Sequence, residues 1–141
     1  DAGNAHLAAE LLGISQESFD RTLQYMKERK QFGAFIGSFQ ALQHRAAHWW
    51  SEIELCKSVV LKALQSIDEG DVKSSALASI AKAKLCEVAE LSTNEAIQLH
   101  GGIGMTDEYE IGFFIKRARP AQALFGDYNY HADRYALICG Y

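Results

Sequence analysis

The chain has 141 residues, 48% of them hydrophobic and only one of them proline, which is enough for one domain with a substantial core. Its formal net charge of -4, with lysine and arginine spread along the chain, argues against a nucleic-acid-binding or anionic-membrane-binding protein, because both need a basic face. No apolar run approaches the roughly 20 residues that span a bilayer, and Cys56, Cys86 and Cys139 lack metal-type spacing and are set among apolar residues. We therefore expect a soluble, cytoplasmic protein whose thiols are reduced and buried.

The first predicted helix runs from Asp1 to about Arg29, because apolar or small residues recur there at steps of three and four. A short loop, Phe32 to Ser38, follows. The second helix keeps a hydrophobic stripe for some eight turns: Phe39, Leu42, Ala46, Trp49, Ile53, Cys56, Val60, Leu64 and Ile67. The third helix, Ala76 to Leu99, is rich in alanine, which allows close packing. Since the connection between the second and third helices is short, we expect them to lie antiparallel.

The third helix breaks at three glycines, Gly101, Gly102 and Gly104, which permit left-handed backbone angles and a close approach of the backbone to a ligand. Thr106 is predicted to cap a short helix that ends at Pro120, and a last helix starts at about Ala121. Alternating strand patterns are absent. The sequence therefore predicts one all-α domain, residues 1–141, with an antiparallel four-helix bundle and an additional short helix.

Residue type and spacing alone suggest two candidates for chemistry, a group of three residues and a single histidine. His44, His48 and Glu52 follow one another at four-residue steps and could ligate a metal, but a polar helix face is the favoured interpretation, and we predict no metal site. His100 could act as a general acid or base, or its ring could cap carbonyls at the end of the third helix. The capping role is the commoner finding for a histidine at such a position.

Two blocks of sequence together are more specific. The block Arg29-Lys30-Gln31-Phe32-Gly33, with Phe39-Gln40 and Gln43-His44 after it, resembles the Arg-x-x-Phe-Gly segment and following helix of the acyl-CoA dehydrogenases. The block Gln98 to Gly104, followed by Thr106, Glu108, Arg117 and Arg119, resembles the second C-terminal signature of that family. The resemblance covers the chain in the family's order, and within the family it points to the pimeloyl-CoA dehydrogenase small-subunit type.

The resemblance implies an FAD-dependent enzyme of fatty acid metabolism that dehydrogenates acyl-CoA thioesters. It implies that a helical and a β domain precede Asp1, where the chain begins without methionine in the middle of a helical pattern. It further implies homo- or hetero-oligomers, dimers or tetramers, with an electron-transfer flavoprotein or similar acceptor. Carried over by position, Arg29 would pair with the FAD pyrophosphate, Phe32 and Gln40 would hold the adenosine end, and the backbone of Gln98, Leu99, His100, Gly101 and Gly102 would approach the partner subunit's FAD.

The substrate side departs from the family pattern. Gly126 stands where the family most often has its catalytic glutamate, and Gly3 and Asn4 occupy the alternative base position and the substrate-binding arginine position. Asp127 would serve as the base if the loop shifts by one residue; otherwise it caps the last helix, and Tyr128 and Tyr130 fill the acyl space. Two functions follow: a dehydrogenase with an unusual base, or a catalytically reduced subunit that completes a partner's FAD site.

Overall fold

Three long helices form the body of the molecule. The computed structural model describes residues 1–141 and contains α1 (Ala2–Glu28), α2 (Gln40–Asp68) and α3 (Ser74–His100), followed by the shorter α4 (Ile111–Ala123) and α5 (Tyr128–Cys139). Arg45 of α2 pairs with Glu95 near the end of α3, so these two helices run antiparallel. The prediction of a helical bundle with an additional short helix is confirmed.

The last two helices return along α3 one after the other. In α4, Arg119 pairs with Glu90, whereas in α5 Arg134 bonds to Ser79, which lies nearer the start of α3. The two short helices therefore share the fourth position of the bundle. None of the helices is long and apolar enough to cross a membrane.

The core lies between α1, α2 and α3, on the faces that the three- and four-residue spacing predicts. In α2, the central members of the stripe are buried: Ala46, Trp49, Ile53, Cys56 and Val60. The Trp49 indole packs edge-on against Phe19 of α1 at 5.0 Å between ring centroids, and its N–H donates to Ser92 Oγ of α3 at 2.7 Å. This side chain alone therefore joins three helices and satisfies its only polar group.

The end of the chain differs from the sequence prediction. Pro120 lies inside α4, which continues to Ala123, because Ala118 and Ala121 are buried on the opposite face and hold the helix there. The last helix therefore starts at Tyr128 rather than Ala121. Thr106 does not cap α4; its hydroxyl donates to the carbonyl of Ile103 at 2.8 Å, within the preceding turn.

The thiols follow the prediction in part. Cys56 and Cys86 are buried, and burial raises the pKa of Cys56 to about 12 and raises that of Cys86 above its usual value. Both thiols are therefore protonated and unreactive at neutral pH. Cys139 is exposed near the end of α5, so the expectation that it packs in the core is wrong.

A short β-hairpin, with two residues in each strand, connects α1 to α2. Strand β1 (Lys30–Gln31) pairs antiparallel with β2 (Ala34–Phe35), and the turn between them consists of Phe32 and Gly33, both with positive φ, 54° and 77°. Two positive φ angles are the pattern of a type I′ turn, whose twist suits a hairpin. The sequence predicts only a short ordered loop here, because runs of two residues carry no alternation.

Candidate functional site

A cavity of about 390 Å³ opens where α1 and α3 end side by side. Its walls come from the end of α1, the hairpin, the start of α2 and the glycine turn after α3. The lining residues include Arg29 together with the whole predicted segment from Gln98 to Gly102. The structure therefore brings together two sequence blocks that lie far apart in the chain.

Arg29 is held by its backbone while its side chain remains exposed. Its N–H donates to the carbonyl of Tyr25 at 2.8 Å, and its own carbonyl accepts from the N–H of Ile36 at 2.8 Å. The guanidinium makes no ion pair, in contrast with Arg45 in the same cavity. A fixed backbone with a free guanidinium leaves its paired donors available for a phosphate.

The predicted glycine loop is a 3-10 turn, Gly101–Met105. Gly101 has φ of +67°, a conformation that side chains rarely adopt, and it terminates α3. At Gly104 a Cβ would lie 2.8 Å from the carbonyl oxygen of Ile97, so the turn packs directly onto the last turn of the helix. Gly101 and Gly102 have open space at the Cβ position, which leaves their backbone accessible from the cavity.

His100 is buried at the base of this turn. Its Nδ1–H donates to the carbonyl of Ala96 at 2.7 Å, its ring stacks on Tyr25 at 4.3 Å, and Tyr109 lies 5.0 Å away on centroids. Burial lowers the pKa of His100 below 6.5, although the bond to Ala96 acts in the opposite direction. The ring is therefore neutral at pH 7 and bonds a helix carbonyl, the second of the two roles that the sequence left open. Its Nε2 is buried without a partner.

The two other predicted cofactor residues lie outside the cavity lining. Phe32 is at the tip of the hairpin, 93% exposed, and its ring lies 6.3 Å from that of Phe39. Gln40 is the exposed first residue of α2. A bulky residue at φ of 54° is uncommon and strained, so the tip presents an aromatic ring to its surroundings at a conformational cost.

The sequence prediction missed Arg45 and Tyr25, which also line the cavity. Arg45 reaches it from the second turn of α2 and is clamped by Glu95, whose hydrogen bonds raise the pKa of the guanidinium. Neither residue belongs to the two motif blocks. Only the crossing of α1, α2 and α3 places them here.

The α4–α5 loop, Leu124 to Asp127, forms a second region away from this cavity. Asp127 is the N-cap of α5 and accepts a hydrogen bond from the N–H of Tyr130 at 3.0 Å. Asp127 also lines a separate cavity of about 480 Å³, together with Cys86 and Arg119. Gly126 has φ of +106°, and a Cβ there would overlap the ring of Tyr130.

Two buried side chains fasten this loop to the bundle. The ammonium of Lys82 donates to the carbonyls of Gln122 at 2.9 Å and Gly126 at 2.7 Å, and Lys82 is fully buried. His131 donates from Nε2 to the carbonyl of Phe125 at 3.1 Å. Burial lowers the pKa of His131, and the nearby Lys82 cation lowers it further. Neither Lys82 nor His131 belongs to a motif that marks it in the sequence.

The possible metal ligands of α2 do not form a cluster. His44 and His48 are exposed, and Glu52 pairs with Lys84 of α3 at 2.7 Å. No group of three or more histidine, cysteine, aspartate or glutamate residues is arranged to hold a metal ion. Glu52 instead forms a salt bridge that connects α2 to α3.

A family model for the acyl-CoA dehydrogenase C-terminal domain matches residues 1–136. The chain therefore belongs to the acyl-CoA dehydrogenase family, of which it is a C-terminal domain. It is 38% identical over 119 residues to the mitochondrial short/branched chain specific acyl-CoA dehydrogenase of Rattus norvegicus, covering 83% of this chain and 27% of the relative.

Solved structures agree with this assignment. The butyryl-CoA dehydrogenase of Megasphaera elsdenii is 29% identical and superimposes with a TM-score of 0.92, covering 96% of this chain and 35% of the other. PigA with FAD and proline is 27% identical with a TM-score of 0.90, covering 97% of this chain and 36% of PigA. The chain thus spans between a quarter and two fifths of the length of these three proteins.

Proposed function

We propose that this chain is the C-terminal bundle of an FAD-dependent acyl-CoA dehydrogenase, preceded by a helical and a middle β domain. Its part is to bind the pyrophosphate and adenosine end of FAD in the cavity between α1 and α3, with the cofactor held mainly by a second subunit. The observation that carries this proposal is the convergence of Arg29 with the segment Gln98 to Gly102 in one cavity. Membership of the acyl-CoA dehydrogenase family supports the proposed reaction class.

The residues of the cavity fit the phosphate end of a dinucleotide. Arg29 offers an unpaired guanidinium, Gly101 and Gly102 expose backbone without side chains, and the polar lining includes Gln31 and Gln98. Main-chain N–H groups and guanidinium forks are the groups that bind phosphate oxygens well. The exposed ring of Phe32 is suited to stack on an adenine, and Gln40 to hydrogen bond nearby.

Bound FAD supplies the acceptor for the substrate β-hydride in this family. The contribution of this domain is therefore binding and orientation: Arg29 neutralises phosphate charge, and the turn Gly101–Met105 positions the adenosine end against the bundle. The α-proton needs a base, for which Asp127 is the candidate in this chain. Asp127 lines the cavity of about 480 Å³, but its Oδ1 caps α5. As a base, Asp127 would therefore take the proton on Oδ2, or it would give up the cap.

A second function is favoured by the packing at Gly126. Because the Tyr130 ring occupies the space of a side chain at this position, the usual glutamate cannot be accommodated in the present loop. The chain would then belong to a catalytically reduced subunit, of the pimeloyl-CoA dehydrogenase small-subunit type, which completes the FAD site of a partner. Both functions need an oligomer, a dimer or tetramer of like or unlike subunits. If the protein is a dehydrogenase, an electron-transfer flavoprotein or similar acceptor would reoxidise its flavin. We expect the protein in the cytoplasm under either proposed function.

The deciding experiment is the visible absorption spectrum of the full polypeptide that carries this domain, followed by anaerobic titration with a panel of acyl-CoA thioesters. Flavin that bleaches with one of them supports the dehydrogenase, and flavin that stays oxidised until a second subunit is added supports the reduced subunit. Arg29→Ala is expected to lose FAD on gel filtration, while the thermal unfolding of the FAD-free protein changes little. Full flavin content in Arg29→Ala would show that the pyrophosphate assignment is wrong.

A further inference from the structure

Arg45 is placed in the cavity by an interaction that leaves part of its guanidinium unused. Nε donates to Oε2 of Glu95 and Nη2 to Oε1, both at 2.8 Å, in a side-on bidentate pair. Arginine has five N–H donors, and this pair leaves both donors of Nη1 free. The side chain remains 42% exposed and lines the cavity with Arg29.

Arg29 and Arg45 are the two arginines of the cavity lining. Both α1 and α3 end here, and the carbonyls at a helix C-terminus carry a partial negative charge, which opposes the binding of an anion. Direct contacts from guanidinium donors to phosphate oxygens therefore have to supply the attraction; the Arg45–Glu95 pair is neutral as a whole, but it leaves the Nη1 donors of Arg45 available for such a contact. The pyrophosphate of a dinucleotide carries two negative charges on adjacent phosphates, which a pair of guanidiniums from different helices can contact separately.

We propose that Arg45 is a second phosphate ligand of this cavity, which contacts the phosphate that Arg29 does not hold, with Glu95 as the positioning residue that orients the guanidinium. The inference rests on the proposed FAD function. Because Glu95 fixes Nε and Nη2, the Nη1 donors face the ligand at little further cost in side-chain entropy. A lysine could not replace this geometry, since it lacks the planar fork that binds Glu95 and phosphate together.

The test compares Arg45→Met with Arg21→Met in the full FAD-binding protein. Arg21 is a matched control, because its side chain is also 42% exposed and forms two salt bridges, to Glu17 and Glu110. Unlike Arg45, it does not line the cavity. We expect Arg45→Met to raise the Kd for FAD about tenfold and to weaken its dependence on salt concentration, as expected when a contact between opposite charges is lost. Arg21→Met should leave both properties unchanged, with a similar loss of thermal stability.

Two further variants separate orientation from charge. Glu95→Gln should raise the Kd for FAD less than Arg45→Met and keep the salt dependence, while Arg45→Lys should fall between wild type and Arg45→Met. A Kd for Arg45→Met within twofold of the Arg21→Met value would overturn the inference, even where Arg29→Ala loses FAD. If the wild-type protein itself binds no FAD, the proposed function and this inference fail together, before any variant is compared.

Discussion

The Nζ atom of Lys82 lies 2.7 Å from the carbonyl oxygen of Gly126, so a buried ammonium on α3 holds the loop at the position where the resemblance leads us to expect a catalytic base. A buried cation is expensive unless polar groups surround it, and here backbone carbonyls do so. This contact fixes the conformation from which Asp127 starts α5. The bundle therefore holds the loop in a defined conformation through side chain to backbone hydrogen bonds.

Replacing Lys82 should destabilise the domain. In Lys82→Met the carbonyls of Gln122 and Gly126 lose their donor and remain partly buried, for an expected loss of about 2 kcal/mol of unfolding free energy. Urea denaturation of the full protein measures this change. The control is Lys57→Met, an exposed lysine paired within its own helix, which should change stability by less than about 0.5 kcal/mol.

Restoring the family glutamate should not restore a base by itself. Gly126→Glu places a Cβ into the ring of Tyr130 at a backbone φ of +106°, so we expect a loss of about 2 kcal/mol and no gain in flavin reduction by acyl-CoA. Gly126→Glu with Tyr130→Ala removes the overlap and should recover part of the stability. Thermal unfolding and anaerobic flavin bleaching are the two measurements. Equal stability of the single variant and wild type would contradict the packing argument.

Asp127 can be tested for capping and catalysis separately. Asparagine caps helices as well as aspartate does, so Asp127→Asn should keep stability, whereas Asp127→Ala should lose about 1 kcal/mol. If Asp127 is also the base, Asp127→Asn should reduce the rate of flavin reduction by about 100-fold or more. An Asp127→Asn variant with unchanged stability and an unchanged rate would assign this carboxylate to the cap alone.

Stability should fall as the solution is acidified below about pH 6.5, the ordinary pKa of histidine. Burial lowers the folded-state pKa of His100 and of His131, so on acidification these two histidines are protonated in the unfolded chain before they are protonated in the folded chain. The loss begins at the unfolded pKa and continues until the pH reaches the lower folded values. Urea unfolding at pH 7.5 and 5.5 measures it. His131→Gln should reduce the pH dependence, and the exposed His48→Gln controls for the loss of a histidine as such.

The hydrophobic spacing was enough to predict the long helices. Trp49 and Ile53 of α2 stand four residues apart and are both buried, because a period of 3.6 residues places them on one face of the helix. The short helices were harder to delimit. Pro120 suggests a helix end by its own chemistry, but Ala118 and Ala121 are packed in the core and tertiary contacts continue the helix past it.

The site was predictable only where a motif marks it. Arg29 and the glycine turn stand in recognisable blocks, and the structure places both at one cavity. Arg45 and Lys82 have no local signal, because their roles depend on partners 50 and 44 residues away along the chain, Glu95 and Gly126. A polar residue in a helical pattern does not reveal whether its partner is solvent or a distant carbonyl.

The contact between Tyr25 and His100 spans 75 residues of chain and forms one wall of the cavity. The entropy of closing a loop of that length must be overcome before the two helix ends meet, so the cavity exists only where α1 is docked on α3 and does not arise from local structure. A dinucleotide that binds there distinguishes the docked bundle from every partly folded form. If FAD binds there as proposed, its occupancy would stabilise the native state by mass action, and the melting temperature of the protein should then rise with free FAD concentration.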